Sequence, residues 1–207
     1  MTEMAKRTRD SKIDSLVEFS EKHGATRAKV ISARDIVVDP RVRLKCMVPI
    51  CSAYGTSLMC PPNVLTIGEF REVLRRYRRA ILVQVEAPVD SSDKSSQPLT
   101  GELCDSIEAA DGASKWKNQL LELVGQIETE AFKRGYYLAA GLSGGECSLC
   151  KKCVLSEGRR DCLHPFEARP SMEAVGIDVI RTCDRAGMPV RLSSKSKIRW
   201  TGLVLVD

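Results

Sequence analysis

Ala80-Ile81-Leu82-Val83-Gln84-Val85 (AILVQV) is the stretch on which the fold turns: a short, nearly unbroken aliphatic run preceded by Arg78 and Arg79 and followed by Pro88. Its length and aliphatic content predict a strand, and its near-absence of polar alternation predicts one covered on both faces, at the centre of a sheet. Upstream, Thr66 followed by Glu69 is a capping-box signature. It starts a helix whose apolar face is Phe70, Val73, Leu74 and Tyr77. Downstream, residues 88–99 (PVDSSDKSSQPL) are polar and Ser-rich and read as a surface excursion or lid. A second helical region follows, broken near Asp111-Gly112, with Trp116, Leu120, Val124, Ile127 and Ala131 on one face and Gly135 as its stop.

Further out the signals are shorter. Ile13, Leu16 and Val17 fall at helical spacing from Ser11, with Gly24 as a cap. Val30-Ile31 and Ile36-Val37-Val38 read as strands around a polar break, Asp39-Pro40 as a turn, and the alternating Arg41 to Leu44 as a further strand. Tyr136 to Ala140 reads as a strand entering Gly141. Ser171 starts another helix, with Val175, Val179, Ile180 and Cys183 inward. Val190 to Leu192 and Ile198 to Val206 read as a terminal hairpin around an SSKSK turn. There is no internal repeat. The expected class is α/β or α+β: a small central sheet flanked by helices, with two cysteine-rich loops, each following a strand, converging on one or more metal or iron–sulfur sites. Residues 1–10 are expected to be a disordered tail and 11–207 a single metal-binding domain.

Composition excludes several classes. The 207 residues carry 29% charged and 43% hydrophobic side chains, which is ordinary globular usage, with only 5% aromatics. The net charge of +5 is a modest bias. No apolar run is long enough for a membrane span, and Met1 to Asp10 has no signal-peptide core, so a cytoplasmic protein is expected. Phosphate-loop, zinc-helix and nucleophile-elbow motifs are absent.

The outlying number is nine cysteines. Cys46, Cys51 and Cys60 lie in CMVPICSAYGTSLMCPPN (46–63), a stretch with four Pro or Gly breakers inside it and no sustained period, hence a loop. Cys147, Cys150, Cys153 and Cys162 follow GLSGGE (141–146). An odd count without a secretory signal argues for metal over disulfides. The spacing C-x2-C-x2-C over Cys147, Cys150 and Cys153 is the most specific signal. A thiolate every third residue wraps one face of a cubane iron–sulfur core, whereas tetrahedral zinc is commonly served by paired C-x2-C hooks. With Cys162 these residues make a four-thiolate set for one [4Fe–4S] cluster; zinc is the alternative. Cys60, which precedes Pro61, is a competing fourth ligand in a crossed arrangement. Cys46, Cys51 and Cys60 supply three thiolates for a second cluster, which Cys104, Cys183 or neither completes. An incomplete set would leave an open iron able to bind substrate.

CMVPICSAYGTSLMCPPN, GLSGGECSLCKKC and RPSMEAVGIDVIRT (169–182), in that order, resemble the cysteine-rich predicted metal-binding proteins of anaerobic bacteria and methanogenic archaea. The resemblance spans Arg27 to Pro189. It implies an anaerobe's metal or iron–sulfur protein with Cys46, Cys51, Cys60, Cys147, Cys150, Cys153 and Cys162 as ligands, and supplies no reaction.

Arg71, Arg75 and Arg78, with Arg76 and Arg79 alongside, read as a solvated helix face or as a docking patch for an acidic redox protein or a larger enzyme complex. With only Tyr77 among them, nucleic acid is disfavoured. His164 reads as a loop residue beside Pro165, a fourth ligand or a proton donor. The favoured function is an iron–sulfur electron-transfer protein of an anaerobic pathway. The alternatives are a redox enzyme with an open-site cluster and a zinc-stabilised accessory or assembly subunit.

Overall fold

The computed structural model describes residues 3–87, 113–190 and 198–207. The excursion expected at residues 88–99, Cys104 and the SSKSK turn lie outside the described residues. Four strands form one antiparallel sheet in the order β1 (Arg27–Ser32), β2 (Arg79–Ala87), β4 (Ile198–Val206), β3 (Ala140–Leu142). Five helices are described: α1 (Glu3–Lys22), α2 (Pro40–Leu44), α3 (Ile67–Leu74), α4 (Ala113–Lys133) and α5 (Val179–Arg185). The fold is thus the expected mixed α/β arrangement with a small central sheet.

The aliphatic run of β2 is central as expected, paired to β1 through Ala28↔Val83 and to β4 through Leu82↔Leu203. Alternate residues feed two cores. Ile81, Val83 and Val85, with Val204 and Val206, pack against Ile13 and Leu16 of α1 and Leu120, Val124 and Ile127 of α4. Ala80 and Leu82, with Leu203 and Leu205, face Phe70 of α3, Met172, Ile177 and Cys183. Gly135 ends α4 at φ +95°, and the Tyr136 amide donates back to the Ala131 carbonyl. The sheet and α4 come unusually close. A Cβ on Gly202 or Gly141 would lie 2.7 or 2.5 Å from a methyl of Val124.

The structure departs from several sequence expectations. Arg41 to Leu44 is helix, not strand. Asp39 caps α2, its carboxylate accepting from the Arg41 amide, and Pro40 sits where its missing N–H costs nothing. The first cysteine loop therefore follows a helix; only the second follows a strand. Ile36 to Val38 contributes one bridge, Val38 to Ile177, rather than a strand. Tyr136 closes the end of α4 and the third strand begins only at Ala140. The helix expected from Ser171 is split: a 3-10 turn ends at Gly176 (φ +88°), and α5 starts afresh behind Asp178, with Ile180 exposed. Val73 is likewise exposed. β4 pairs with β2 and β3 at long range, while the hairpin expected between it and residues 190–192 falls outside the described residues, and α1 begins at Glu3, well before Ser11. α3 stops at Leu74, so the five arginines do not share a helical face: Arg71 donates to the Val38 carbonyl, Arg75 pairs with Glu72, and Arg78 reaches Asp207.

Candidate metal centre

The second cysteine loop is closed at its base. Ser143, just past β3, donates its amide to the Pro170 carbonyl at 2.9 Å, and the Met172 amide returns to the Ser143 carbonyl at 2.8 Å. Beside this closure, Glu128 of α4 accepts from the Gly141 amide at 2.6 Å and takes a two-pronged ion pair from Arg169 at 2.8 and 2.9 Å. Arg169 also donates to the Phe166 and Ala168 carbonyls. Chain entering and leaving the loop is thereby fixed to one point on α4. Inside the loop, buried Val154 anchors a 3-10 turn that Gly158 (φ +76°) ends. Ser148 donates to Asn118 of α4 at 2.6 Å.

Within this closure Cys147, Cys150, Cys153 and Cys162 line one cavity with Leu149 and His164. Burial pushes the Cys147 thiol up, the Leu149 amide pulls it down, and the charges facing it are Cys162, Cys150 and Cys153. The His164 amide donates to the Cys162 sulfur at 3.4 Å. In both cases the amide two residues after a cysteine points at its sulfur, which favours the thiolate over the thiol.

The first loop is a succession of turns. The Cys51 amide donates to the Cys46 carbonyl, Gly55 to Pro61, Cys60 to Ser57, and Asn63 to Cys60. Cys60 is buried, and desolvation pushes its thiol up to about 12 against a hydrogen bond from Ser57. Its charge neighbours, strongest first, are Cys51, Glu146 and Cys46. Ser57, Leu58 and Met59 form one wall of the cavity that holds the other four cysteines. The two loops therefore adjoin at this cavity. None of the eight cysteines among the described residues is in a disulfide, and among those residues no three His, Cys, Asp or Glu donors meet as for a single ion.

Cys183 lies apart, in the core beneath the sheet, where the Gln84 amide reaches its sulfur at 3.8 Å. It is the inert buried cysteine that its apolar helical face suggests. Lys151 and Lys152 are exposed on the loop. Glu146, Ser57 and the two amides aimed at sulfur carried no sequence signal of their own. Only their positions next to or two residues from a cysteine could have drawn attention to them. His164 lines the cavity.

A closed loop of soft thiol donors, with backbone N–H groups turned toward sulfur, has the donor chemistry of a protein that binds a thiophilic metal. Over residues 29–206 the chain matches, and belongs to, the family described as predicted metal-binding protein, DUF2284. No curated protein and no solved structure matches it. Among the described residues, no helix is long and apolar enough to cross a membrane.

Proposed function

We propose that this protein holds a [4Fe–4S] cluster on Cys147, Cys150, Cys153 and Cys162 and passes single electrons to or from a partner in an anaerobic pathway. The carrying observation is that these four thiols, three of them at C-x2-C-x2-C spacing, surround one cavity in a loop closed at its base. When bound, such a cluster supplies a one-electron couple whose potential follows its net charge, exposure and hydrogen bonds to sulfur. The chain's part is to orient the thiolates, direct the Leu149 and His164 amides at them and, through Val154, exclude water from one side. Lys151 and Lys152 place positive charge near the cluster, which favours its reduced form and an acidic partner. Exposed Leu163 and Phe166 give that partner apolar contact close to Cys162.

A second reading, a redox enzyme with an exchangeable iron, is favoured by the first loop: Cys60 faces two further thiols and a carboxylate, not a fourth thiol. Anaerobic purification with iron, sulfide and zinc analysis tests the primary reading. At least about four irons with matching sulfide per chain are expected, and about four of them are lost in Cys150→Ser. A colourless protein with about one zinc and no acid-labile sulfide favours the accessory-subunit alternative.

A further inference from the structure

Lys117 of α4 is the one charged side chain among the buried polar residues of the described chain. Its side chain is 7% exposed, and its ion-pair partner among the described residues is Glu146, at 3.8 Å. Glu146 directly precedes Cys147. On the other side of that cysteine, Ser148 donates to Asn118, the next residue of α4, at 2.6 Å. Gly144 is pressed against the same helix: a Cβ there would lie 3.4 Å from a methyl of Leu120 and 2.9 Å from the Thr201 carbonyl oxygen. Alternate residues from Gly144 to Ser148 thus run along one turn of α4, and Cys147 is held between two of these fastenings. The buried ammonium is thereby fixed beside a thiol that lines the cavity.

We propose that Lys117 sets the reduction potential of the cluster on Cys147, Cys150, Cys153 and Cys162, with Glu146 as its counter-charge. This rests on the reading that the second loop binds a [4Fe–4S] cluster. A buried ammonium is costly unless negative charge gathers around it. One carboxylate, itself 33% exposed and 3.8 Å away, offsets little of that cost. A cubane on four thiolates carries net negative charge, and reduction adds one more. An ammonium fixed nearby favours the reduced form and raises the potential, and a carboxylate nearby does the opposite. Lys151 and Lys152 are exposed, so water and salt weaken their effect, whereas the charge on Lys117 is shielded from both. Lys117 and Glu146 act through this field and through their hold on the chain at Cys147, as positioning residues and not as ligands.

The test is an anaerobic redox titration of full-length protein loaded with ferrous iron and sulfide, followed by its visible spectrum. Lys117→Met is expected to lower the midpoint potential. At a fixed poise the ratio of reduced to oxidised cluster should fall about tenfold, which is about 59 mV for one electron. Glu146→Gln is expected to raise the potential by a similar amount. Lys117→Arg keeps the charge and should stay near wild type, and the double variant Lys117→Met with Glu146→Gln should return toward it. Each variant should keep the wild-type iron content. Potentials that do not move, or that move in the same direction in Lys117→Met and Glu146→Gln, would overturn the proposal. Iron lost from Lys117→Met and Lys117→Arg alike would do so too, since that marks a purely structural role. Should Lys117→Met misfold, the rise expected in Glu146→Gln still decides. A wild type that holds its cluster while the variants fail these expectations sinks this proposal alone; an iron-free wild type sinks the cluster reading with it.

Discussion

The Glu173 charge acts on the Cys183 thiol below the sheet, and burial raises the pKa of both groups. Burial raises the Cys183 thiol from its ordinary 9.0 to about 11, against hydrogen bonds from Thr201 and Gln84. Between those values the unfolded chain has lost a proton that the native chain keeps. The contribution to stability is therefore complete below pH 9 and is lost as pH rises toward 11, to a total of about 2–3 kcal/mol. Cys183→Ala should flatten the alkaline limb of a urea-midpoint profile and leave metal content unchanged. An unchanged limb, or lost metal, would contradict the inert role. Glu173 carries one carboxyl oxygen that is buried without a hydrogen-bond partner, and desolvation raises its pKa. Its contribution is present below the ordinary 4.5 and lost as pH rises, so burying this carboxyl destabilises the native state at neutrality relative to acid. Glu173→Gln should stabilise by about 1 kcal/mol at pH 7 and by much less at pH 4, compared by urea titration.

At the scale of elements, what the sequence made legible tracks how local the determining interaction is. The Thr66–Glu69 capping box is contained in four residues, and it forms with both reciprocal bonds. β2 and the face of α4 were readable because a long apolar period leaves few alternatives. Arg41 to Leu44 misleads because alternating charge and aliphatic residues mimic a strand over a segment too short to show a period. A cap at Asp39 and a proline at Pro40 decide it instead. β3 is three residues long and exists only because β4 pairs with it, a long-range fact with no local trace. The approach of α4 to the sheet is equally non-local: it depends on Gly202 and Gly141 meeting Val124. Gly202→Ala would place its Cβ 2.7 Å from Val124 and 3.1 Å from Leu120. α4 would have to move off the sheet, at a cost of about 1–3 kcal/mol. Thermal unfolding should show that loss, and Val124→Ala in the same chain should restore part of it.

Across the whole molecule, the thiol-rich loops and the load of the fold are separate. Apart from Cys183, the two cores are built without cysteine, from sheet residues, α1, α3, α4 and α5. The loops instead hang on a few polar fastenings, of which Glu128–Arg169 is the most connected: one carboxylate holds the Gly141 amide before the second loop and Arg169 after it. Both side chains are largely buried, 23% and 17% exposed, so removing one leaves the other charge poorly solvated. Cysteine spacing drew attention to the thiols of the candidate site, but not to this fastening, whose partners lie 41 residues apart. Glu128→Ala should cost about 2–4 kcal/mol, and it should do so unevenly. Far-UV circular dichroism at room temperature should stay close to wild type, because the sheet and its two cores remain. Metal retention against a chelator should fall, because the loop that gathers Cys147, Cys150, Cys153 and Cys162 loses its closure. Loading with metal should then recover more thermal stability in the variant than in wild type, since ligation would supply the constraint the ion pair no longer gives. Equal chelator half-lives for the two proteins would show that the thiols hold their arrangement without the base of the loop.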